Sequence, residues 1–356
     1  VMSPPLVSVV IPAFNRAHCV GEAVESALAQ TFKDFEIVAV DDGSADGTGE
    51  ILKKFGGALR VLRQENRGVA GARNAGIRAA RGKWVAFLDS DDRWHPEKLE
   101  SQMAVLEKYG AKICFTRSIT TGGERLQDIE FVSANLREPG VYYVEEAADA
   151  VCLSPRHPLI QTMIAEKELL ERVGMFDESF HAAEDAEMIF RLSFLSGFAY
   201  VDRALTTIFE DSANSLTYSV KLDSMGRRNQ SYLRLLAEMY WRLIDVSPDK
   251  IGVVRKRLGY FMSRRAEIAC AAGQWPVARA LAWDGLFFAG NFRDLARCAG
   301  ILLFPAWLRH RARKKWPASD DREARRRNCP RPNDWEGRGL QIPDVQPRNE
   351  VAGLND

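Results

Sequence analysis

The stretch that decides the fold is Val-Ser-Val-Val-Ile-Pro-Ala-Phe-Asn, residues 7–15. Its first five residues form a short run rich in β-branched side chains, which is typical of a strand buried in a parallel sheet. Pro12 ends the run, and Asn15 adds a polar side chain just beyond it. The stretch therefore predicts a buried strand that opens into a polar loop.

Strand and helix patterns alternate outward from this stretch as far as residue 116. Further strands are predicted at 36–40, 59–62, 84–88 and 112–116, and helices at 20–28, 51–55, 69–80 and 96–109. Crossovers of this length imply a mostly parallel α/β sheet covered by helices on both faces. Ligands of such sheets bind beyond the carboxyl ends of the strands. Three strands end there in polar or acidic loops, at 12–15, 41–44 and 89–92.

Composition excludes several classes of function. The chain has 356 residues, and 49 Lys and Arg nearly balance 48 Asp and Glu, so we expect no nucleic acid partner. The six cysteines form no zinc-binding spacing. We find no apolar run long enough to span a bilayer and no export signal. A cytoplasmic protein is therefore expected.

The pattern changes along the chain. Short strands and irregular stretches continue to about residue 210, and helices are predicted at 221–246, 249–272, 275–290 and 292–315. We therefore divide the chain into a catalytic domain at 1–215, a helical region at 216–316 and a disordered tail at 317–356. The tail holds five of the fifteen prolines and few apolar residues.

The strongest local signal is Phe-Leu-Asp-Ser-Asp-Asp, residues 87–92. Carboxylates this close repel one another unless a cation or hydrogen-bond donors compensate. Asp89 and Asp91 at a strand end can present oxygens to Mg²⁺ or Mn²⁺. The alternative is an acidic turn that caps the next helix.

Two further signals lie between the strands. Asp41-Asp42 opens a glycine-containing turn, and its carboxylates can accept hydrogen bonds from a ribose or a base. Residues 66–76 form a glycine-rich entry to a helix, where Arg73 can meet an anion. An ordinary capped turn and a closely packed helix are the respective alternatives. Neither segment matches the dinucleotide-binding or P-loop glycine pattern.

The last signal is Gly-Met-Phe-Asp-Glu at 174–178, followed by Glu184-Asp185 at the start of a predicted helix. One acid here can act as a general base if the fold brings it to the edge that carries Asp89 and Asp91. The alternative is that both acids only interact with the helix dipole.

Together and in this order, these motifs resemble family two of the inverting glycosyltransferases, which have the GT-A fold. The resemblance covers residues 5–210. It rests on Val7–Asn15, Asp41–Thr48, Asn66–Gly76, Phe87–Asp92, Gly174–Glu178 and Glu184-Asp185. Phe14 stands where the family usually has tyrosine.

This resemblance implies sugar transfer from a nucleotide sugar, usually a UDP-sugar, to an acceptor hydroxyl with inversion. Asp89 and Asp91 would hold Mn²⁺ or Mg²⁺, with Asp91 as the direct ligand, and Asp185 would be the catalytic base. The residues implied in nucleotide binding are Pro12, Phe14, Asn15, Asp42, Arg73, Asp89 and Ser90.

Alternatives remain at this level. A nucleotidyltransferase that makes nucleotide sugars shares the strand–helix opening, although it usually carries a different N-terminal loop. A non-catalytic sugar-binding homologue would be expected to have lost one of the acids, and none is missing.

The helical region raises the question of membrane contact. Apolar residues in 292–316 precede the basic run Arg309–Lys315. This pattern favours peripheral contact with an anionic membrane, on its inner face, and a lipid-linked or other glycan acceptor. The alternative is a helix packed on the catalytic domain.

Overall fold

The computed structural model describes residues 3–121, 125–126, 135–138, 140–145, 147–148, 151, 158–180, 182–209, 234–239, 251–289 and 292–303. They all lie in a compact unit spanning residues 1–318. The predicted tail and the segment around the predicted boundary at 215 lie outside the described residues, so the division into domains stays a prediction.

The strands of the described part belong to one sheet. They are β1 (Val7–Ala13), β2 (Phe35–Asp41), β3 (Arg60–Arg63), β4 (Trp84–Phe87), β5 (Arg93–Trp94), β6 (Ile113–Thr120), β7 (Arg125–Leu126), β8 (Asn135–Glu138), β9 (Val141–Val144), β10 (Ile164–Glu166) and β11 (Phe198–Ile208). Their order is β3-β2-β1-β4-β10-β6-β11-β9-β8, with β5 paired to β11 and β7 to β6.

The helices of the described part cover the sheet and form the C-terminal region. They are α1 (Val20–Leu28), α2 (Thr48–Lys54), α3 (Gly68–Ala79), α4 (Lys98–Tyr109), α5 (Lys167–Arg172), α6 (Glu184–Ser193), α7 (234–239), α8 (Ile251–Ala272), α9 (Trp275–Phe288) and α10 (Phe292–Leu303). The predicted fold class, α/β followed by a helical region, is confirmed.

Parallel pairing joins β3, β2, β1 and β4, and β6 with β11. Between these groups lies β10, which is antiparallel to both β4 and β6. The sequence pattern did not indicate this strand because it is only three residues long. Pro96 stands two residues before α4 and not at its first position.

Successive side chains of β1 lie on opposite faces of the sheet and contribute to two separate cores. Val7, Val9 and Ile11 pack on one face with residues of α1 and α4, whereas Val10 packs on the other with α3 and α6. This alternation is what the period of two along a strand requires. Helix α3 approaches β1 closely, since a Cβ on Gly76 would lie 2.2 Å from Cγ1 of Val10.

The helical region divides between two cores. The buried residues of α7 and the first turns of α8 pack in the same core as α3 and α6. The rest of α8 forms a separate, smaller core with α9 and α10. No helix in the described ranges is both long and apolar enough to span a membrane.

Candidate active site

Three strand ends meet at one edge of the sheet because β1 lies between β2 and β4. Hydrogen bonds tie the first two loops together. The Asp42 backbone N–H donates to the carbonyl of Ala13 at 2.9 Å, and the Asn15 N–H donates to Ser44 Oγ at 3.0 Å. Asn15 Oδ1 accepts from the Ala45 N–H at 3.0 Å. The polar loops predicted from sequence are therefore neighbours.

The two acids at the end of β2 have different roles. Both carboxylate oxygens of Asp41 are hydrogen-bonded within the protein: Oδ1 accepts from the Ser44 N–H at 2.9 Å and Oδ2 from Arg63 at 3.0 Å. Asp42 is also buried, and its Oδ1 accepts from Gln64 Nε2 at 2.7 Å and from the Arg67 N–H at 2.9 Å. Among the described residues, Asp42 Oδ2 has no hydrogen-bond partner. Asp42 is thus held rigidly with one oxygen available for a ligand.

Aromatic and apolar surface flanks this carboxylate. Pro12 is buried in β1, and Phe14 follows with 44% of its surface exposed. An exposed aromatic ring beside a fixed acceptor is suited to a base or ribose, which offers both a flat face and polar hydrogens.

The acids after β4 also divide by role. Asp92 is buried and accepts hydrogen bonds from the Phe209 N–H at 3.0 Å and from Gln161 Nε2 at 2.8 Å. Asp89 and Asp91 instead keep 24% and 25% of their side-chain surface exposed. Ser90 lies buried between them. The turn therefore offers two carboxylates to solvent and uses the third to hold the chain.

The charges of these acids are only partly compensated. Burial raises the pKa of Asp91, and the neighbouring Asp89 raises it further, while Arg16 at 3.6 Å opposes the shift. Burial, Asp89 and Asp91 likewise raise the pKa of Asp92 well above its usual range. Burial in this turn thus makes the charged forms of Asp91 and Asp92 costly, and repulsion between the neighbouring acids adds to that cost.

This donor set fits a divalent cation completed by substrate. Asp89 gives one carboxylate oxygen to an arginine, and its other oxygen has no hydrogen bond in the described part of the chain. The described residues contain no group of three or more His, Cys, Asp or Glu that would form a complete protein cage. Mg²⁺ is commonly held by one or two carboxylates plus substrate phosphates. Asp89 and Asp91 satisfy that requirement.

Arg73 joins the edge formed by the loops after β1, β2 and β4, called the donor edge from here on, to a segment that is distant in the chain. Its guanidinium donates to Asp89 Oδ1 and to Glu184 Oε1, both at 2.8 Å, and lies 5.4 Å from the ring centroid of Phe176. Burial opposes its positive charge, but Asp89 and Glu184 outweigh that cost and raise the pKa of Arg73. A residue predicted to contact nucleotide is thus a buried bridge between two acids. Its predicted contact with nucleotide stays untested.

Helix α3 also holds the segment 174–178. Asn74 Nδ2 donates to the carbonyl of Phe176 at 2.9 Å, and the Phe176 N–H donates back to Asn74 Oδ1 at 2.9 Å. Glu178 accepts from Asn74 at 3.0 Å and from Arg67 at 2.7 Å. Two motifs about one hundred residues apart therefore form one unit.

The acids at the start of α6 are not equivalent. Glu184 is buried against Arg73, and burial together with the charge of Asp185 raises its pKa. Asp185 is only partly buried, and its Oδ1 accepts from the Ala186 N–H at 2.8 Å. Its charge also acts on Arg73, so it lies near the bridge. Asp185 is the more accessible of the two carboxylates.

Arg234 is a contact that sequence reasoning missed. From α7, its guanidinium donates to Asp177 Oδ2 at 2.7 Å and to Ser179 Oγ at 2.6 Å, and it lies 4.1 Å from the ring centroid of Phe180. The Ser179 hydroxyl in turn donates to Asp177 Oδ1 at 2.6 Å. Arg234 therefore gives the segment after Phe176 a second anchor, from α7 in addition to α3. No local pattern marked this arginine.

A strand-end edge with an open carboxylate pair, joined through a buried arginine to an accessible acid, is the arrangement expected of a sugar-transferring α/β enzyme. The sequence model of glycosyl transferase family 2 matches residues 8–145. The chain is also 35% identical over 272 residues to the uncharacterized glycosyltransferase RP339 of Rickettsia prowazekii (strain Madrid E). That alignment covers 74% of this chain and 84% of the relative. The chain belongs to glycosyl transferase family 2, as its motifs predicted, and is a glycosyltransferase.

Two other comparisons are informative. An Escherichia coli enzyme, the UDP-Glc:alpha-D-GlcNAc-diphosphoundecaprenol beta-1,3-glucosyltransferase WfaP, is 41% identical over 104 residues, 29% of this chain and 41% of its own. The crystal structure of S. aureus TarS 1-349 in complex with UDP-GlcNAc superposes with a TM-score of 0.61 at 21% identity. It covers 87% of this chain and 88% of that one, which confirms the predicted fold.

Proposed function

We propose that this chain is a metal-dependent, inverting glycosyltransferase that moves a sugar from a UDP-sugar to an acceptor hydroxyl. The observation that carries the proposal is the Arg73 bridge. It holds Asp89, at the end of β4, and Glu184, beside Asp185, within hydrogen-bonding distance of one guanidinium. A donor-binding carboxylate and a candidate base thereby share one edge of the sheet.

The donor nucleoside is assigned to the loops after β1 and β2. We assign to Asp42 Oδ2 a hydrogen bond from a base N–H or a ribose hydroxyl, and to the exposed ring of Phe14 a stacking contact with the base. Pro12, Asn15 and Ser90 are assigned to the same nucleotide site. UDP is the nucleotide we favour, since the TarS structure of the same fold contains UDP-GlcNAc.

The donor diphosphate is assigned to Asp89 and Asp91 through Mn²⁺ or Mg²⁺. When bound, the cation would stabilise the negative charge that develops on the leaving diphosphate. Asp91 contributes a carboxylate whose pKa is raised by burial and then by the charge of Asp89, and Arg16 beside it adds a positive group.

The acceptor hydroxyl is assigned to the side of Asp185. This carboxylate would take the hydroxyl proton as the oxygen attacks the anomeric carbon and the bond to the diphosphate breaks. A single direct displacement inverts the anomeric centre. Glu184 is buried against Arg73 whereas Asp185 is only partly buried, so we assign the acceptor proton to Asp185.

For the acceptor we propose a lipid-linked glycan in polysaccharide synthesis. The relative WfaP carries a diphosphoundecaprenol-linked sugar in its name. An acceptor of this kind lies at a membrane surface, so the proposal also predicts that sugar transfer takes place close to a membrane.

The experiment that tests the proposal is turnover of a panel of UDP-sugars to UDP with Mn²⁺, with Mg²⁺ and with EDTA. We expect release of UDP only with the cation, and a product of inverted anomeric configuration by NMR. Asp91→Asn should lose most cation-dependent turnover, while Asp34→Asn, an exposed acid remote from the site, should not. Near-normal turnover of Asp91→Asn at saturating Mn²⁺ would refute the metal assignment. Formation of UTP and a sugar 1-phosphate from a UDP-sugar when pyrophosphate is added would indicate a nucleotidyltransferase.

A further inference from the structure

The most exposed large apolar side chains of the described residues are concentrated on α9 and α10. Phe292 is 80% exposed, Trp283 and Leu303 are each 69% exposed, and Phe287 is 63% exposed. Soluble proteins carry single exposed apolar residues routinely, but four large ones on two helices that pack together indicate an interaction surface.

Helical periodicity places these residues on the outer faces of both helices. In α9, positions 276, 280, 283 and 287 are exposed, whereas the buried positions are 278, 282 and 285. In α10, Phe292, Leu295 and Leu303 are exposed, whereas the buried positions are 294, 298 and 301. Each helix therefore presents large apolar side chains to solvent as well as to the core, with Arg279, Asp284 and Arg293 exposed among them.

This arrangement revises the sequence interpretation. Ile301, expected in a membrane-facing stripe, is buried in the core between the helices. Trp283 and Phe287 lie before the predicted stripe and join the exposed surface instead. Phe304, Trp307 and Leu308 of the predicted stripe lie outside the described residues.

The surroundings of these apolar faces are basic. Residues 251–303 contain eight Lys or Arg and three acids. Two of the acids, Glu267 and Asp294, are buried and paired with arginines, which leaves Asp284 as the exposed acid. The net charge that this region presents to solvent is therefore positive.

Positive groups lie directly beside the exposed rings. The Arg255 guanidinium is 5.2 Å from the ring centroid of Phe287 and donates to its carbonyl at 2.7 Å. Phe292 lines an open groove together with Tyr260, Arg264 and Arg293. Five more Lys or Arg follow in residues 309–315. Aromatic rings fringed by arginine suit an interface where apolar and negatively charged surface meet.

We propose that the outer faces of α9 and α10 bind the surface of an anionic membrane, with Trp283, Phe287 and Phe292 inserted among the headgroups and the arginines in contact with lipid phosphates. The proposal goes beyond the transfer reaction and does not depend on it. Charge complementarity favours this partner over a second copy of the chain, because two such basic faces would repel each other.

Vesicle flotation of the full chain tests the proposal. We expect binding to vesicles of phosphatidylcholine with 30% phosphatidylglycerol at low salt, and little binding to pure phosphatidylcholine or at 0.5 M salt, because the attraction is partly electrostatic. The double variant Trp283→Glu/Phe292→Glu should reduce the partition coefficient at least tenfold. Both side chains are mostly exposed, so their replacement leaves the core intact, and the thermal unfolding temperature checks this.

Ala104→Glu is the matched control, since it adds negative charge to an exposed position of α4 in the catalytic part. It should bind like the parent. Failure of the parent to float with anionic vesicles would overturn the proposal. Equal binding by the double variant and the control would assign the membrane contact elsewhere. A parent that is dimeric, with a monomeric double variant and no flotation, would assign the surface to a second copy. None of these outcomes depends on sugar transfer, so failure here leaves the proposed reaction standing.

Discussion

The donor edge and the acceptor-side segment are built in different ways. The loops after β1, β2 and β4 meet because their strands are neighbours, and hydrogen bonds within and between these loops, many of them from backbone N–H groups, hold them. The segment 174–180 and the start of α6 are held instead by side chains that reach them from other elements, namely Asn74, Arg73 and Arg234. The difference teaches that donor binding depends on sheet topology, whereas the placement of the base depends on a few side chains. Changes on the acceptor side should therefore lower turnover and spare donor affinity.

The largest effect is expected at Asp185. Asp185→Asn should lower transfer by about 10²–10⁴-fold, as removal of a general base does, and leave UDP affinity unchanged. Glu184→Gln should be milder, since the amide can still accept a hydrogen bond from Arg73. Steady-state rates and calorimetric UDP binding in both variants provide the check. An Asp185→Asn protein that also loses UDP binding would contradict the separation of the two sides.

Arg73 is the position where a substitution should affect donor affinity and turnover together. Arg73→Met removes the partner of both Asp89 and Glu184, so turnover and donor affinity should fall together. Breaking a buried ion pair costs about 3–5 kcal/mol, and we expect the free energy of unfolding to fall toward that range. Denaturant unfolding and UDP titration measure the two effects.

The stability loss of Arg73→Met should depend on pH. The pKa of Glu184 is already raised by burial and by Asp185, and loss of the arginine would raise it further above its unfolded value. Protonation then relieves the unpaired charge, so the loss should shrink as pH falls and grow as pH rises through this pKa. A pH-independent loss would show that Glu184 is not responsible.

Arg234 offers a finer test from outside the donor edge. Arg234→Met should reduce transfer by about 2–30-fold, the equivalent of 0.5–2 kcal/mol for a residue that acts through its neighbours, with UDP affinity unchanged. Arg234→Lys should restore part of the rate because it keeps the charge opposite Asp177. The matched control is Glu238→Gln, which alters an ion pair within α7 and leaves the contacts to 177–180 in place. Equal losses of transfer rate in Glu238→Gln and Arg234→Met would show that Arg234 only stabilises α7.

The smallest effect on activity is expected at Lys98, which lies in neither the donor edge nor the acceptor-side segment. It is buried in α4, where its Nζ donates to Gln102 Oε1 at 2.7 Å and lies 4.1 Å from the ring centroid of Trp94. Burial lowers the pKa of Lys98 to about 7, below its value in the unfolded chain. Between these values the unfolded state binds more protons, so stability should rise with pH above about 7.

Lys98→Met should remove that rise and change turnover less than twofold. Unfolding free energies at pH 6, 7, 8 and 9 provide the measurement. An unchanged slope in the variant would place the pH dependence on another group.

Much of the fold and donor edge could be predicted because both depend on short-range patterns. Apolar runs predicted β1–β4, and neighbouring parallel strands were bound to gather their terminal loops at one edge. The order of the acids also revealed the family. The family resemblance singled out Asp42 and Asp185, but the local pattern alone did not show which acid of each pair serves structure. Asp41 and Asp42 are distinguished by contacts with Arg63, Gln64 and the Arg67 backbone, which lie outside the local pattern.

Long-range side-chain contacts escaped prediction for the same reason. The Arg73 pairs with Asp89 and Glu184, and the Arg234 contact with Asp177, join segments that no local spacing relates. Strand β10 was missed because three residues carry too little periodicity to distinguish a strand from a loop.

The shared guanidinium of Arg73 also constrains how chimeric enzymes could be made from this family. A crossover near residue 100 would exchange the donor motifs as a unit, yet Arg73 would travel with them while Glu184 stayed behind. If the incoming segment placed its arginine differently, the recipient would keep a buried acid without a partner, a defect that costs several kcal/mol. Donor specificity is therefore transplanted most safely when α3 and the start of α6 move together, however far apart they lie in the chain.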